Sequence, residues 1–382
     1  MKDHKHIVIL GPAWPLRGGG LATFNERMAR EFIKEGHTVT IYNFSLQYPS
    51  ILFPGKTQYS AEKAPADLDI KVVVNSINPF NWIRVGKTLR RLRPDILIVR
   101  YWLPFMGPAL GTILRGLSKN KFTRIICIAD NIVPHEKGPA DKMFTRYFIR
   151  PVDAFITMSE KVLADLKQFE TRKPARLIPH PLYDNFGDPL PKNAARQYLR
   201  LPENEKIILF FGFIREYKGL DILLQAMADE RIRKSNIILV VAGEFYQDSK
   251  PYLDLIRHLN ISDQVILKTE FVPDSEVRFY CSAADLIIQP YRHATQSGVT
   301  PLAYHFEKPM IVTNVGGLPS MVPDGLVGLV AEPNPGSIAE HILEFYELGE
   351  NHFLPHLREE KKKYAWNRLV NAILDLAHDI HK

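Results

Sequence analysis

Residues 207–219, IILFFGFIREYKG, decide how the chain folds. An unbroken apolar run ends in Gly212. Arg215 and Lys218 follow, three apart, then Gly219 and a helical pattern of Leu220, Leu223, Leu224 and Met227. This reads as a buried parallel strand running into a turn and then a helix. Open α/β sheets hold ligands beyond the carboxyl ends of their strands. Arg215 and Lys218 therefore stand where a ligand is expected, and two cations together suit an anion such as a diphosphate. The same two residues also fit solvated loop charges, so the rest of the chain has to weigh in.

Downstream the pattern repeats, with strands expected at 207–212, 237–242, 265–268, 286–289, 310–313 and 328–331 and helices between them. Upstream, strands are expected at 6–11, 37–44, 70–74, 96–100, 124–129, 154–157 and 176–178. Helices are expected over 21–35 with Gly36 at its C′ position, over 82–92, over 107–118, near Met143, and after a Ser159 cap. Residues 49–67 read as loop. Between the halves, residues 179–204 contain Pro179, Pro181, Pro189, Pro191 and Pro202 and no apolar strand. The fold class is therefore α/β: two Rossmann-like, doubly wound domains facing across a cleft. The boundaries are set at 1–182 for the first domain, 183–205 for a linker, 206–360 for the second domain and 361–382 for a C-terminal helix. That last segment places apolar residues at 366, 369, 370, 373, 374 and 377, one helical face anchored by Trp366. Lys361, Lys362 and Lys363 read as a solvated face.

A length of 382 residues fits two domains, and 46% hydrophobic with 24% charged residues fits a soluble globular protein. Cys127 and Cys281 sit in apolar segments and read as small hydrophobes; nothing calls for an oxidising compartment. The apolar run 7–10 is too short for a signal-peptide core. No run approaches about 18 apolar residues, so no spanning helix is expected and a cytoplasmic protein is. The net charge of +7 suits acidic small molecules, an anionic membrane surface or nucleic acid. No nucleic-acid motif accompanies it. The one basic concentration is Lys87, Arg90, Arg91 and Arg93. With Trp82 and Arg84 it makes a basic, aromatic-bearing helix that suits the inner face of an anionic membrane, or simply a solvated face.

Other stretches could carry chemistry. Gly18, Gly19 and Gly20 precede the first helix, where glycine allows backbone N–H groups to approach an anion; a flexible loop is the plainer reading. Their spacing is not GxGxxG, and no acidic residue closes the second strand, which disfavours a dehydrogenase. Residues 296–301, QSGVTP, open a helix whose N-cap is either Ser297, or Thr300 with Pro301 at N1. Either way its free N–H groups should converge with Arg215 and Lys218 on one anion, unless this is an ordinary cap. Asp130, Asn131, His135 and Glu136 follow a first-half strand, where a carboxylate or imidazole could position a hydroxyl or handle a proton. Glu244 follows the strand 237–242 and could accept from a ribose or sugar hydroxyl, or be a surface carboxylate. His180, between two prolines, reads as a turn residue. No cluster has metal-ligand spacing, so no metal or resident cofactor is expected. No nucleophile elbow or P-loop occurs.

GFIREYKGLD, TEFVPDSEVRFYCSAADLIIQPY, SGVTPLAYHFEKPMIVTNVGGLP and the GGG loop resemble the GT-B glycosyltransferases, specifically the retaining GT4 family. The resemblance spans nearly the whole chain and is densest over 207–332. It implies a nucleotide-sugar donor, UDP- or GDP-linked, held by the second domain. It also implies a saccharide or lipid-linked saccharide acceptor on the first, and a last helix crossing back to that first domain. By position, Arg215 and Lys218 would hold the diphosphate, and Phe271 and Val272 would touch the nucleobase. Ser297, Gly298 and Val299, with Thr300 beside them, would line the phosphate and ribose; Gly19 and Gly20 would approach the sugar. Asp130 or His135 would orient donor or acceptor. The family's usual glutamate pair aligns with Ala294 and Leu302, and its usual first-domain histidine aligns near Asp130. The activity implied is retaining, metal-independent hexosyl transfer in cell-surface polysaccharide or glycolipid synthesis. A sugar-nucleotide epimerase, which needs no acceptor, and a non-catalytic sugar-nucleotide-binding protein are the alternatives.

Overall fold

The computed structural model describes residues 4–16, 20–49, 58–60, 63–133, 140–294 and 297–380. The chain divides into two compact units, Met1–Pro179 with Trp366–Lys382, and His180–Ala365.

The first unit is built on a seven-stranded parallel sheet. Its strands are β1 (His6–Leu10), β2 (Thr38–Leu46), β3 (Asp69–Asn75), β4 (Ile96–Tyr101), β5 (Arg124–Ala129), β6 (Ala154–Thr157) and β7 (Ala175–Leu177), in the order β3-β2-β1-β4-β5-β6-β7. Continuous apolar runs form the inner strands β1, β4, β5 and β6, where both faces of the sheet are covered. Successive side chains point to opposite faces, and the two cores sort accordingly. Val8, Leu10, Leu97, Val99, Ile125 and Cys127 fall in one cluster. Ile7, Ile9, Ile96, Ile98, Ile126 and Ile128 fall in the other. The helices Gly20–Lys34 and Trp366–Asp379 cover that second face. The Trp366 ring lies edge-on to Phe24, centroids 4.9 Å apart, under the Arg27 guanidinium. The last helix thus lies in the first unit.

The second unit holds β8 (Lys206–Phe211), β9 (Ile237–Ala242), β10 (Val265–Lys268), β11 (Leu286–Gln289), β12 (Met310–Thr313) and β13 (Gly328–Ala331), ordered β10-β9-β8-β11-β12-β13. Five coincide with the expected ranges, and β8 starts and ends one residue earlier than expected. In each sheet the strand order reverses direction once, between β1 and β4 and between β8 and β11. At such a switch point the connections leave in opposite directions and a crevice opens beyond the carboxyl ends.

Four expectations change. The stretch 183–205 is part of the second unit. It carries the helix Lys192–Leu199, capped by Pro191 and ended by left-handed Arg200. Ala195 and Leu199 join the core, and buried Arg196 donates to the Ala283 carbonyl and to Asp285. Prolines that read as linker punctuation are here the start of a short helix, too brief to show a clear period. The return to the first unit begins at Trp366 and not at 361, because Tyr364 is held in the second unit. Its carbonyl accepts from the Leu182 amide, and its ring lies 4.7 Å from that of Tyr304. Lys361 is no solvated charge: its Nζ donates to the His305 carbonyl at 2.9 Å. Finally, the basic helix starts at Pro79 under an Asn78 cap, and Trp82 turns inward, its Nε1 donating to the Asn75 carbonyl. Among the described residues no helix is long and apolar enough to cross a membrane.

Candidate functional site

The carboxyl end of β8 is shaped by close backbone approaches. Gly212 follows the strand with φ +97°, and Gly243 follows β9 with φ +144°. A β-carbon on Gly243 would stand 2.3 Å from the Gly212 carbonyl oxygen. The chain then crosses Arg215 into a short 3-10 turn, Glu216–Lys218, and leaves it at Gly219, φ +66°. A β-carbon on Gly219 would lie 2.0 Å from the Pro290 carbonyl oxygen. That contact locks the turn against the end of β11. Gly219→Ala must therefore move the backbone that carries Lys218. The expected result is a loss of about 2 kcal/mol or more of stability with loss of anion binding, checked by a denaturant midpoint and a nucleotide titration. An alanine variant with unchanged binding would show that the turn does not set the site.

This turn folds Lys218 inward. The residue is 9% exposed. A β-carbon placed on Gly212 would sit 3.0 Å from Lys218 Nζ and 4.0 Å from Val299 Cγ2, which puts the ammonium beside the start of the helix Val299–His305. Nζ also lies 5.7 Å from the Tyr291 ring centre. Arg215 is exposed, its guanidinium 4.9 Å from the Tyr246 ring. Among the described residues neither cation has a carboxylate within ion-pair distance. The nearby acid is already taken: Asp221 is gripped by Arg292 at 2.8 and 2.6 Å. Burial first, and the Arg215 charge second, pull the Lys218 ammonium from its ordinary 10.5 down to about 8. Two like charges without a counter-ion, one of them desolvated, are unfavourable until an anion arrives.

The helix start differs from both expectations. Gly298 occupies the cap position. Ser297 Oγ accepts the Val299 amide at 3.1 Å and pairs with the Tyr291 hydroxyl at 3.2 Å, so that amide is not free for a ligand. Thr300 is fully buried and donates to Gln289 Oε1 at 3.1 Å; it fastens the helix to β11 and does not face solvent. Gly298 is exposed, and Val299 is buried. Glu244 is exposed, with its carbonyl accepting from the Ile214 amide, which ties it to the loop that carries Arg215. Phe271, 48% exposed, and half-buried Val272 lie on the loop after β10, two strands from β8.

In the first unit the carboxyl ends of β1, β4 and β5 hold a second polar group. Asp130 follows β5, its amide bonded to the Tyr101 carbonyl. Arg100, on β4 and 1% exposed, grips it with both arms, Nε to Oδ2 at 2.9 Å and the second nitrogen to Oδ1. The guanidinium also lies 4.0 Å from the centre of the Phe24 ring. Burial pushes the Asp130 carboxyl up, and Arg100 pulls it partly back. With both oxygens engaged, Asp130 is an oriented charge more than a free base. The loop after β1 is fastened by two buried amides. Asn25 donates to the Pro12 carbonyl at 2.8 Å, and Asn43 donates to those of Ala13 and Trp14 at 2.6 and 2.7 Å. Exposed Gly20 opens the first helix just beyond. Gly18, Gly19, His135 and Glu136 lie outside the described residues.

Arg100, Asn25, Asn43 and Tyr291 went unnoticed in the sequence. Arg100, Asn25 and Asn43 are polar residues inside otherwise apolar strand or helix faces and Tyr291 follows the end of β11, and an arginine within ILIVRY was the one visible signal.

Comparison with known proteins agrees with this layout. A model of glycosyl transferases group 1 matches residues 191–367, and one of glycosyltransferase family 4 matches residues 18–184. A D-inositol 3-phosphate glycosyltransferase of Thermobifida fusca is 24% identical over 347 residues, 82% of this chain and 77% of that protein. One from Streptosporangium roseum is 31% identical over 156 residues, 39% of this chain and 36% of that protein. Among solved structures, a glycosyltransferase of Rickettsia africae covers 98% of this chain, and the whole of its own chain is matched, with a TM-score of 0.73 at 16% identity. Anabaena HepE, solved with UDP and glucose, covers 99% of this chain with 100% of its own matched, a TM-score of 0.71 and 15% identity.

Proposed function

We propose that this chain, which belongs to the GT4-type glycosyltransferases of GT-B fold, moves a hexosyl group from a nucleotide-sugar donor to an acceptor hydroxyl with retention of configuration. The observation that carries the reading is the uncompensated pair Lys218 and Arg215. Breaking the anomeric bond leaves negative charge on the departing diphosphate. A preplaced, desolvated cation stabilises that charge more than it stabilises the intact donor, which is the condition for catalysis. The departing phosphate oxygen can take the proton of the incoming hydroxyl, so no protein nucleophile is required. Asp130, fixed by Arg100, orients a hydroxyl of the donor or acceptor. The proposed transfer is metal-independent, with the diphosphate charge met by Lys218 and Arg215.

A UDP- or GDP-sugar is the proposed donor, supported by the UDP and glucose bound to Anabaena HepE. The acceptor is a saccharide or lipid-linked saccharide, and the setting is cell-surface polysaccharide or glycolipid synthesis at the inner face of the membrane. Ala294 and Leu302 stand where the family's glutamates align. Leu302 is 3% exposed, part of the core, so donor hydroxyls must be met by other groups.

Calorimetric titration with UDP and GDP tests the reading. The bound diphosphate should restore the Lys218 proton, so affinity should fall about tenfold between pH 7 and pH 9 as the empty-site ammonium titrates near 8. Lys218→Arg, which does not titrate there, should bind with little pH dependence. No binding of any nucleoside diphosphate, or a flat wild-type profile, would defeat the proposal.

A further inference from the structure

The helix Pro79–Leu92 has two unlike sides. Val85, Gly86 and Leu89 face the core. A β-carbon on Gly86 would meet the Ile113 carbonyl oxygen at 2.9 Å, so this helix is seated tightly on its neighbour Gly107–Ser118. The opposite side carries Phe80 and Ile83, followed by Arg84, Lys87, Arg90 and Arg91; at 3.6 residues per turn these six share one half of the helix surface. All are exposed. Phe80 is 84% exposed and Ile83 48%, with Ile77 just before the helix at 50%. The helix contains no acidic residue. Among the described residues none of the four cations has a carboxylate within ion-pair distance.

Scattered exposed apolar residues are ordinary. Here three of them are grouped, and they adjoin four uncompensated cations on a rigid support. In water this costs twice, in exposed apolar surface and in like-charge repulsion. An anionic lipid surface relieves both: apolar side chains enter the boundary between headgroups and acyl chains, and the cations meet phosphates. A nucleic acid would satisfy the cations, yet Ile77, Phe80 and Ile83 would gain nothing from a sugar–phosphate backbone. We infer that the outward face of the helix Pro79–Leu92 docks on an anionic lipid bilayer. The inference stands on this helix and not on the transfer reading.

The test is co-sedimentation of the full chain with vesicles of phosphatidylcholine alone or with roughly a third phosphatidylglycerol. Binding should need the anionic lipid and should be lost at about 1 M salt, where the Debye length shrinks to a few ångströms. At about fivefold per cation, changing Arg84, Lys87, Arg90 and Arg91 together to glutamine should lower partitioning on the order of a hundredfold or more. Phe80→Ser with Ile83→Ser should lower it about tenfold and leave the salt dependence. These exposed changes should leave the thermal midpoint and UDP binding as in wild type, which separates failure here from failure of the transfer reading. Equal binding to neutral vesicles, no binding at low salt, or anionic binding indifferent to the quadruple change would overturn it. So would displacement by duplex RNA with no effect of the Phe80 and Ile83 changes.

Discussion

Lys218→Met should slow sugar transfer severely and, at pH 7, make the ligand-free protein more stable. Both results follow from one arrangement. The ammonium is nearly buried, beside Arg215, with no anion in reach among the described residues. In the transition state it faces a departing diphosphate. Removing one such preplaced electrostatic partner lowers the rate by about a hundred- to a thousandfold, read from kcat/KM in a transfer assay.

Without ligand the sign reverses. The ammonium titrates near 8 when folded and at its ordinary 10.5 when unfolded. A difference of that size is worth about 3 kcal/mol. Below pH 8 lysine is charged in both states, so the whole cost is present. As pH rises from about 8 to about 10.5 the folded protein releases the proton first, the unfolded chain holds more protons, and wild-type stability rises. The methionine variant lacks that titration, so its advantage should shrink across the same interval. Denaturant midpoints at pH 7, 8 and 9 give the comparison. A variant less stable than wild type at pH 7 would mean that the ammonium already has a partner within the protein and does not await an anion.

Arg100→Met should have the largest effect on stability. It leaves the largely buried Asp130 carboxylate without its two guanidinium bonds. Removing one partner of a buried pair costs about 3–5 kcal/mol, because the remaining charge is uncompensated. Burial already raises the Asp130 carboxyl, and loss of Arg100 should raise it further. A raised carboxyl binds its proton more tightly in the folded state, so the variant should lose stability as pH climbs from the ordinary carboxylate range toward neutrality. Arg100→Met with Asp130→Leu should recover most of the loss, since an apolar pair of similar volume has no charge to desolvate. A single variant with a wild-type midpoint at pH 7 would show that the pair contributes nothing.

The strands were legible because parallel strands buried on both faces are continuous apolar runs. All six of the second unit could be read from their sequence. The helix Lys192–Leu199 was not legible: eight residues set among prolines make little over two turns, and only its packing distinguishes it from a linker. Arg215 and Lys218 could be placed at a strand end from sequence, yet nothing local says that one is buried and the other exposed. That follows from Gly219 pressed against Pro290, a contact between segments about seventy residues apart. Trp82 and Phe80 show the same limit. An aromatic residue at the start of a basic helix reads alike at either position, and only the seat on the neighbouring helix turns one in and the other out.

Residue order by itself determined the two α/β halves and the strand ends where chemistry is expected. These are properties of periodicity and turn chemistry, which act over a few residues. Tertiary structure alone decided which charges have partners: Asp221 with Arg292, Asp130 with Arg100, and Lys218 with none among the described residues. Neutralisation depends on distance and burial, and both are set by chain segments far apart in sequence.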